Sequence, residues 1–241
     1  MLKPNWLIIG LTAFSLAACS PGGKSDAPKS GEAVIEDAHI GAHNEIGQLP
    51  IEKRVAFMSG HVQAGIALYR AGAPDQAAPH LLHPVSETHQ AERAGIDALG
   101  FDQSIFISVS EALDSGKPAS EIEPQLKAAE ANLAKLQRKA GGDPAEIIRF
   151  LMDTVVEEYA IGVNKGEITD PGEYQDAYGF TIIAVRVAKR MDHPKKREIS
   201  QALAKLKRSW PKEGPLADSK PRPANVIKKR VEDVRVILDQ K

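Results

Sequence analysis

Six of the seven histidines in this 241-residue chain fall between positions 39 and 89: His39, His43, His61, His80, His83 and His89. Imidazole is the commonest neutral metal ligand in proteins and titrates near physiological pH, so the clustering points first to metal chemistry. His80 and His83, within Pro79-His80-Leu81-Leu82-His83-Pro84, are three apart and can project from one helical face. Glu87 stands four further on, beyond a proline able to turn it away. His39 and His43 lie near the amino-terminal segment, where exposure to solvent is expected. His61 falls between two apolar stripes, one of Val55, Met58, Val62, Ile66 and Tyr69, the other of Phe57, Ala64 and Leu68. Its alternative role is that of a core histidine bonded to a backbone carbonyl.

Carboxylates occupy apolar faces further along. Glu158 shares a face with Ile147, Ile148, Leu151, Val155 and Gly162, whereas Asp153 and Glu157 project on the other side. Glu173 and Asp176 share a face with Phe180, Ala184, Val187 and Met191. A buried carboxylate without a partner is costly and finds a cation or a proton. The alternatives to a metal are an Arg or Lys salt bridge, or a first-turn role for Glu173 at a helix N-terminus.

The two groups share a layout. His61, Gly65, Gly72 and His80-x-x-His83 describe one helical hairpin; Glu158, Gly162, Gly166 and Glu173-x-x-Asp176 describe another. Each carries one polar group on its first helix and an i, i+3 pair on its second. Facing helices of bundles build metal sites in this way. The expected ligand set is His61, His80, His83, Glu158, Glu173 and Asp176, a mixture suited to iron, zinc, copper or manganese.

The elements that must position these residues read as helices. A three- and four-residue apolar rhythm runs from Ile51 to Tyr69 and ends at Gly72. A second helical stretch runs from Pro74 towards Gly100, with a break near Pro84. Further helices are expected at 103–115, 119–139, 144–165, 171–191, 195–209 and 224–239, the last two separated by the Pro-rich stretch Pro211 to Pro223. Asp143-Pro144-Ala145-Glu146 combines an N-cap, a first-turn proline and a capping-box glutamate. No segment shows a convincing strand alternation. The fold class is all-α, a bundle of seven to eight helices built around two hairpins and occupying 49–241.

The amino terminus has a different character. Lys3, the apolar run Trp6 to Leu16 and the small pair Ala17-Ala18 form an export signal over 1–18, too short to span a bilayer. Leu16-Ala17-Ala18-Cys19 resembles the lipobox of bacterial lipoproteins. That resemblance implies acylation of Cys19, cleavage before it, and, with Ser20 rather than Asp next, a preference for the outer membrane. Two or three acyl chains anchor stably, each buried methylene adding about 0.8 kcal/mol. A single cysteine, unable to form an internal disulfide, fits this reading. Residues 19–48 are then the lipidated cysteine and a flexible tether, rich in Ser, Gly, Pro and Lys at its start.

Loss of Lys3 with the signal moves the formal net charge from −1 to −2. Such a chain, with 5% aromatics, has no electrostatic footprint for nucleic acid. Tyr69-Arg70-Ala71-Gly72, Ala77-Ala78 and His80 to Glu87 resemble the extracytoplasmic helical hairpins of iron permeases of the high-affinity family, although the R-E-x-x-E signature is absent. The resemblance implies an iron-linked periplasmic domain rather than transport. No nucleophile motif, phosphate loop or paired-cysteine site accompanies it. Three functions remain open: an envelope lipoprotein binding or buffering a transition metal, iron favoured; a structural adaptor for an envelope protein partner; and a metal-dependent enzyme.

Overall fold

The computed structural model describes residues 46–86, 90 and 93–240. The export segment, Cys19 and the greater part of the tether, with His39, His43, Glu87 and His89, lie outside the described residues.

Eight α-helices are present among these residues: α1 (Ile51–Arg70), α2 (Pro74–Leu82), α3 (Gln103–Asp114), α4 (Ala119–Ala140), α5 (Pro144–Gly162), α6 (Pro171–Arg190), α7 (Lys196–Lys207) and α8 (Ala224–Leu238). They close into two rings. α1 packs on α2, α2 on α3, α3 on α4 and α4 back on α1; α5, α6, α7 and α8 close a second ring in the same manner. Each ring has its own core. Met58, Ile66, Leu81, Phe106, Leu126 and Leu136 belong to the first. Ile148, Tyr159, Phe180, Leu203, Val231 and Val234 belong to the second, which also takes Ala56 and Phe57 from α1.

α1 therefore serves both rings, and its sequence shows why. Every residue from Val55 to Ile66 is buried, which only a helix surrounded on all sides can be. α6 is the corresponding element of the second ring. The two cross where Gly60 meets Gly179. A Cβ on Gly179 would stand 2.1 Å from the carbonyl oxygen of Gly60, and one on Gly60 would enter the Phe180 ring. Glycine at both positions brings the backbones, and with them the two rings, into direct contact.

The predicted helix starts are observed. The Asp143 side chain accepts from Ala145 N at 2.8 Å, and Asp170 accepts from Glu173 N at 3.3 Å. Glu146, expected to close a capping box, instead pairs with Arg149 at 2.7 Å.

Two boundaries differ from expectation. The helix from Pro74 ends at Leu82 and does not run towards Gly100; a 3-10 turn, His83–Val85, follows it. His83 itself keeps helical dihedrals, φ −43° and ψ −49°, but proline at 84 lacks the N–H that a continuing α-helix needs. α5 stops at Gly162, because Val163–Asn164 (β1) pairs antiparallel with Glu167–Ile168 (β2). Lys165 and Gly166 both adopt positive φ, 51° and 85°, in the two-residue turn between them. Strands of two residues are too short to show alternation in a sequence.

Candidate metal centre

The two hairpins, α1–α2 and α5–α6, are built alike. One turn after His61, Gly65 lies so close to α2 that a Cβ would come 2.9 Å from Ala77 O and 3.0 Å from the His80 Cβ. One turn after Glu158, a Cβ on Gly162 would come 2.5 Å from Tyr174 N and 3.1 Å from Asp170 O. The carbonyl met in each case precedes the next polar residue by three positions, His80 in one hairpin and Glu173 in the other. His80 is thus the counterpart of Glu173, and His83 of Asp176. The side chains meet crosswise, not between counterparts.

His61 Nδ1 and His80 Nδ1 each lie 2.9 Å from the same oxygen, Asp176 Oδ1. These three atoms come from α1, α2 and α6 and lie within 4.8 Å of one another, close enough to share one cation. All three side chains are buried. His83, at the start of the 3-10 turn, stacks on His61 with ring centroids 3.6 Å apart and planes 13° apart. Phe57 and Phe180 close the other sides of His61, both edge-on, at 4.7 and 5.1 Å.

Glu158 and Glu173 form a second buried group beside the first. Burial, a hydrogen bond to Glu173 and the charge of Asp176 push the Glu158 carboxyl up to about 11. A protonated Glu158 donates that bond. Its Oε2 is buried with no hydrogen-bond partner among the described residues, as is His61 Nε2. At Asp176 burial opposes ionisation, but His61 and His80 outweigh it and hold the carboxyl well below its usual range. For His80 burial alone would lower the pKa. The neighbouring Asp176, with Gln175 and Glu173, reverses this and raises it. Between His80 and Asp176 the pair is therefore favoured as imidazolium and carboxylate, and Asp176 is answered by histidines rather than by Arg or Lys.

All six residues named from the sequence are buried at the junction of the two hairpins. His61, His80 and Asp176 come together; His83 joins through its ring, and Glu158 and Glu173 pair with each other. Sequence reasoning missed Gln175, whose Oε1 lies 2.8 Å from His80 Nε2, and Gln76, whose Oε1 accepts from Gln175 Nε2 at 2.7 Å. Nothing in an isolated glutamine distinguishes such a role, although Gln175 next to Asp176 on a helix with so many apolar residues was a signal. A cleft of about 540 Å³, lined by His61, His80, His83, Gln76, Gln175 and Asp176 among others, opens onto the group.

Residues 135–239 match the family model described as the iron permease-associated 4-helix bundle domain. This span holds the end of α4 and the whole of the second ring, α5 to α8, which accounts for the four helices. The stretch from Tyr69 to Glu87 that carries the resemblance in the sequence lies outside it, so the likeness to iron-permease helical regions rests on the second ring. No curated protein and no solved structure matches the chain. The matched span supplies Glu158, Glu173, Gln175 and Asp176, whereas His61, His80 and His83 come from the ring before it. No helix among the described residues is long and apolar enough to cross a membrane.

Proposed function

We propose that this chain is a lipid-anchored envelope protein, periplasm-facing and preferring the outer membrane, that binds or buffers a transition metal. Iron is the favoured cargo, ahead of copper or zinc. His61, His80 and Asp176 hold it, and His83, Glu158 and Glu173 shape the site around it. The observation that carries this reading is the convergence of His61 Nδ1, His80 Nδ1 and Asp176 Oδ1, all buried, on one point beside an open cleft.

The donor set fits. Two imidazoles and a carboxylate suit a borderline divalent ion, and affinity alone does not choose among such ions. The match to an iron permease-associated domain favours iron and makes an iron permease the envelope partner to test. The lipobox at Leu16 to Cys19 supports the anchor. Without metal a proton on His80 supplies the positive charge beside Asp176. Metal binding replaces that proton, so uptake and release follow pH.

Full-length protein, expressed without a histidine tag and purified in detergent, tests the reading through its bound metal. About one transition metal per chain, lost in the Asp176→Asn variant, is expected. No binding at saturating Fe(II), Zn(II) or Cu(II) overturns it and leaves the adaptor reading.

A further inference from the structure

The Pro-rich segment between α7 and α8 reaches the centre described above. Trp210 Nε1 donates to Tyr174 O at 3.3 Å, and Arg222 O accepts from Tyr159 Oη at 2.6 Å, so both ends are fastened to the α5–α6 hairpin. Between them the Ala217 amide donates to Gln76 Oε1 at 3.1 Å. Several prolines limit the freedom this strap loses on being held there.

The Ala217 contact fixes a chain of orientations. Carboxamide oxygen and nitrogen are interchangeable in shape and must be assigned from their partners. A backbone N–H only donates, so the Gln76 atom facing Ala217 is its oxygen. The Gln175 atom 2.7 Å from that same oxygen must then be the NH2. The remaining Gln175 atom, 2.8 Å from His80 Nε2, is therefore the carbonyl oxygen, which only accepts. Nε2 of His80 carries a proton, and Nδ1 is left as the nitrogen facing Asp176 and His61.

The geometry assigns Gln175 and Gln76, steered by the Ala217 amide, the role of positioning residues that fix the His80 tautomer and make Nδ1 its metal-facing atom. The inference rests on the metal reading for its use; without metal the Nε2 proton is held by Gln175 in the same way, while the charged ring carries a second proton on Nδ1 towards Asp176. Partners of this kind beside ligand histidines typically alter affinity by about 10- to 100-fold.

The test is a long-range 1H–15N spectrum of the full chain with labelled histidine, assigned with His80→Asn, before and after addition of Zn(II). In the metal-free protein a slowly exchanging proton on His80 Nε2 is expected, with its protection lost in Gln175→Leu. With Zn(II), Nδ1 is expected to take the ligand shift while Nε2 stays protonated. Gln76→Leu is expected to weaken Zn(II) binding about tenfold, within the range for such partners. Gln76→Glu keeps an acceptor for both Ala217 and Gln175 and is expected to restore it. Ligation through Nε2, unchanged protection in Gln175→Leu, or equal losses in the two Gln76 variants would overturn the relay. A protected Nε2 proton with no Zn(II) response supports the relay and overturns the metal reading instead.

Discussion

His80 and Asp176, 96 positions apart, meet at 2.9 Å where α2 of one ring reaches α6 of the other. The contact couples the two halves of the molecule electrostatically, and its strength depends on pH in two directions. Asp176 has a depressed pKa, so its contribution is present above its ordinary 3.8 and lost as pH falls through its lowered value. His80 has a raised pKa, so its contribution is full below 6.5 and lost as pH rises through its elevated value.

Asp176→Asn should therefore destabilise the metal-free protein most between about pH 4 and 6.5, where both charges are present in wild type. Leaving buried imidazolium without its carboxylate costs about 3–5 kcal/mol. Urea unfolding across this range checks it; a loss that grows above pH 8 would contradict the ion pair.

Glu158→Gln should act in the opposite sense. A raised carboxyl pKa means that the folded state keeps a proton the unfolded chain gives up, so wild-type stability falls as pH rises above the ordinary 4.5. The amide keeps a donor for Glu173 and removes this burden. The gain should approach about 3 kcal/mol at pH 7, the free energy of holding an acid of pKa 4.5 protonated there, and vanish towards pH 4. Thermal melts of the metal-free protein at the two pH values decide it.

Much of this was legible in the chain. Glu158, Glu173 and Asp176 stood out because carboxylates on apolar faces need an explanation, and Asp143-Pro144 announced its helix through an N-cap. The correspondence of the two hairpins was visible in the glycines one turn after His61 and Glu158. Small residues there leave room for another helix; that the second helix of each hairpin is the one that fills it is visible only in the fold.

Other features were not legible. Periodicity places residues on a face but does not say which faces meet, so the crosswise contact of His80 with Asp176 was hidden. The end of α2 at Leu82 depends on how strictly Pro84 acts, and the Val163–Ile168 hairpin is too short to leave a pattern. Gln76, Gln175 and Ala217 are joined only through a strap whose path no local signal gives.

Gly179→Ala should test whether the helix crossing sets the site. A methyl group there meets the Gly60 carbonyl, which belongs to backbone and cannot swing aside. The expected cost is at least about 1–3 kcal/mol, with weaker metal binding because α1 and α6, and hence His61 and Asp176, are pushed apart. Gly72→Ala, at a φ of 84° with open space around it, should cost stability and leave metal affinity unchanged. Equal affinities for the two variants would separate the crossing from the site.

Cys19→Ala should abolish acylation and release the protein from the membrane fraction. Mass analysis of the mature amino terminus and fractionation read the outcome; an unchanged terminus and unchanged fractionation would remove the anchor from the account.

Metal affinity should begin to weaken above pH 6.5 as the pH is lowered, since the raised pKa of His80 makes protons compete early. Competition titrations against a chelator of known pH dependence measure this, and affinity flat from pH 8 to 5 would exclude His80 as a ligand.

The most direct measurement is an anomalous-scattering map from crystals of the protein equilibrated with Fe(II) and, separately, Zn(II). A single strong peak is expected about 2.0–2.2 Å from the Nδ1 atoms of His61 and His80 and from a carboxylate oxygen of Asp176. A peak elsewhere, or none at saturating metal with the 2.9 Å contacts to Asp176 Oδ1 intact, would contradict it.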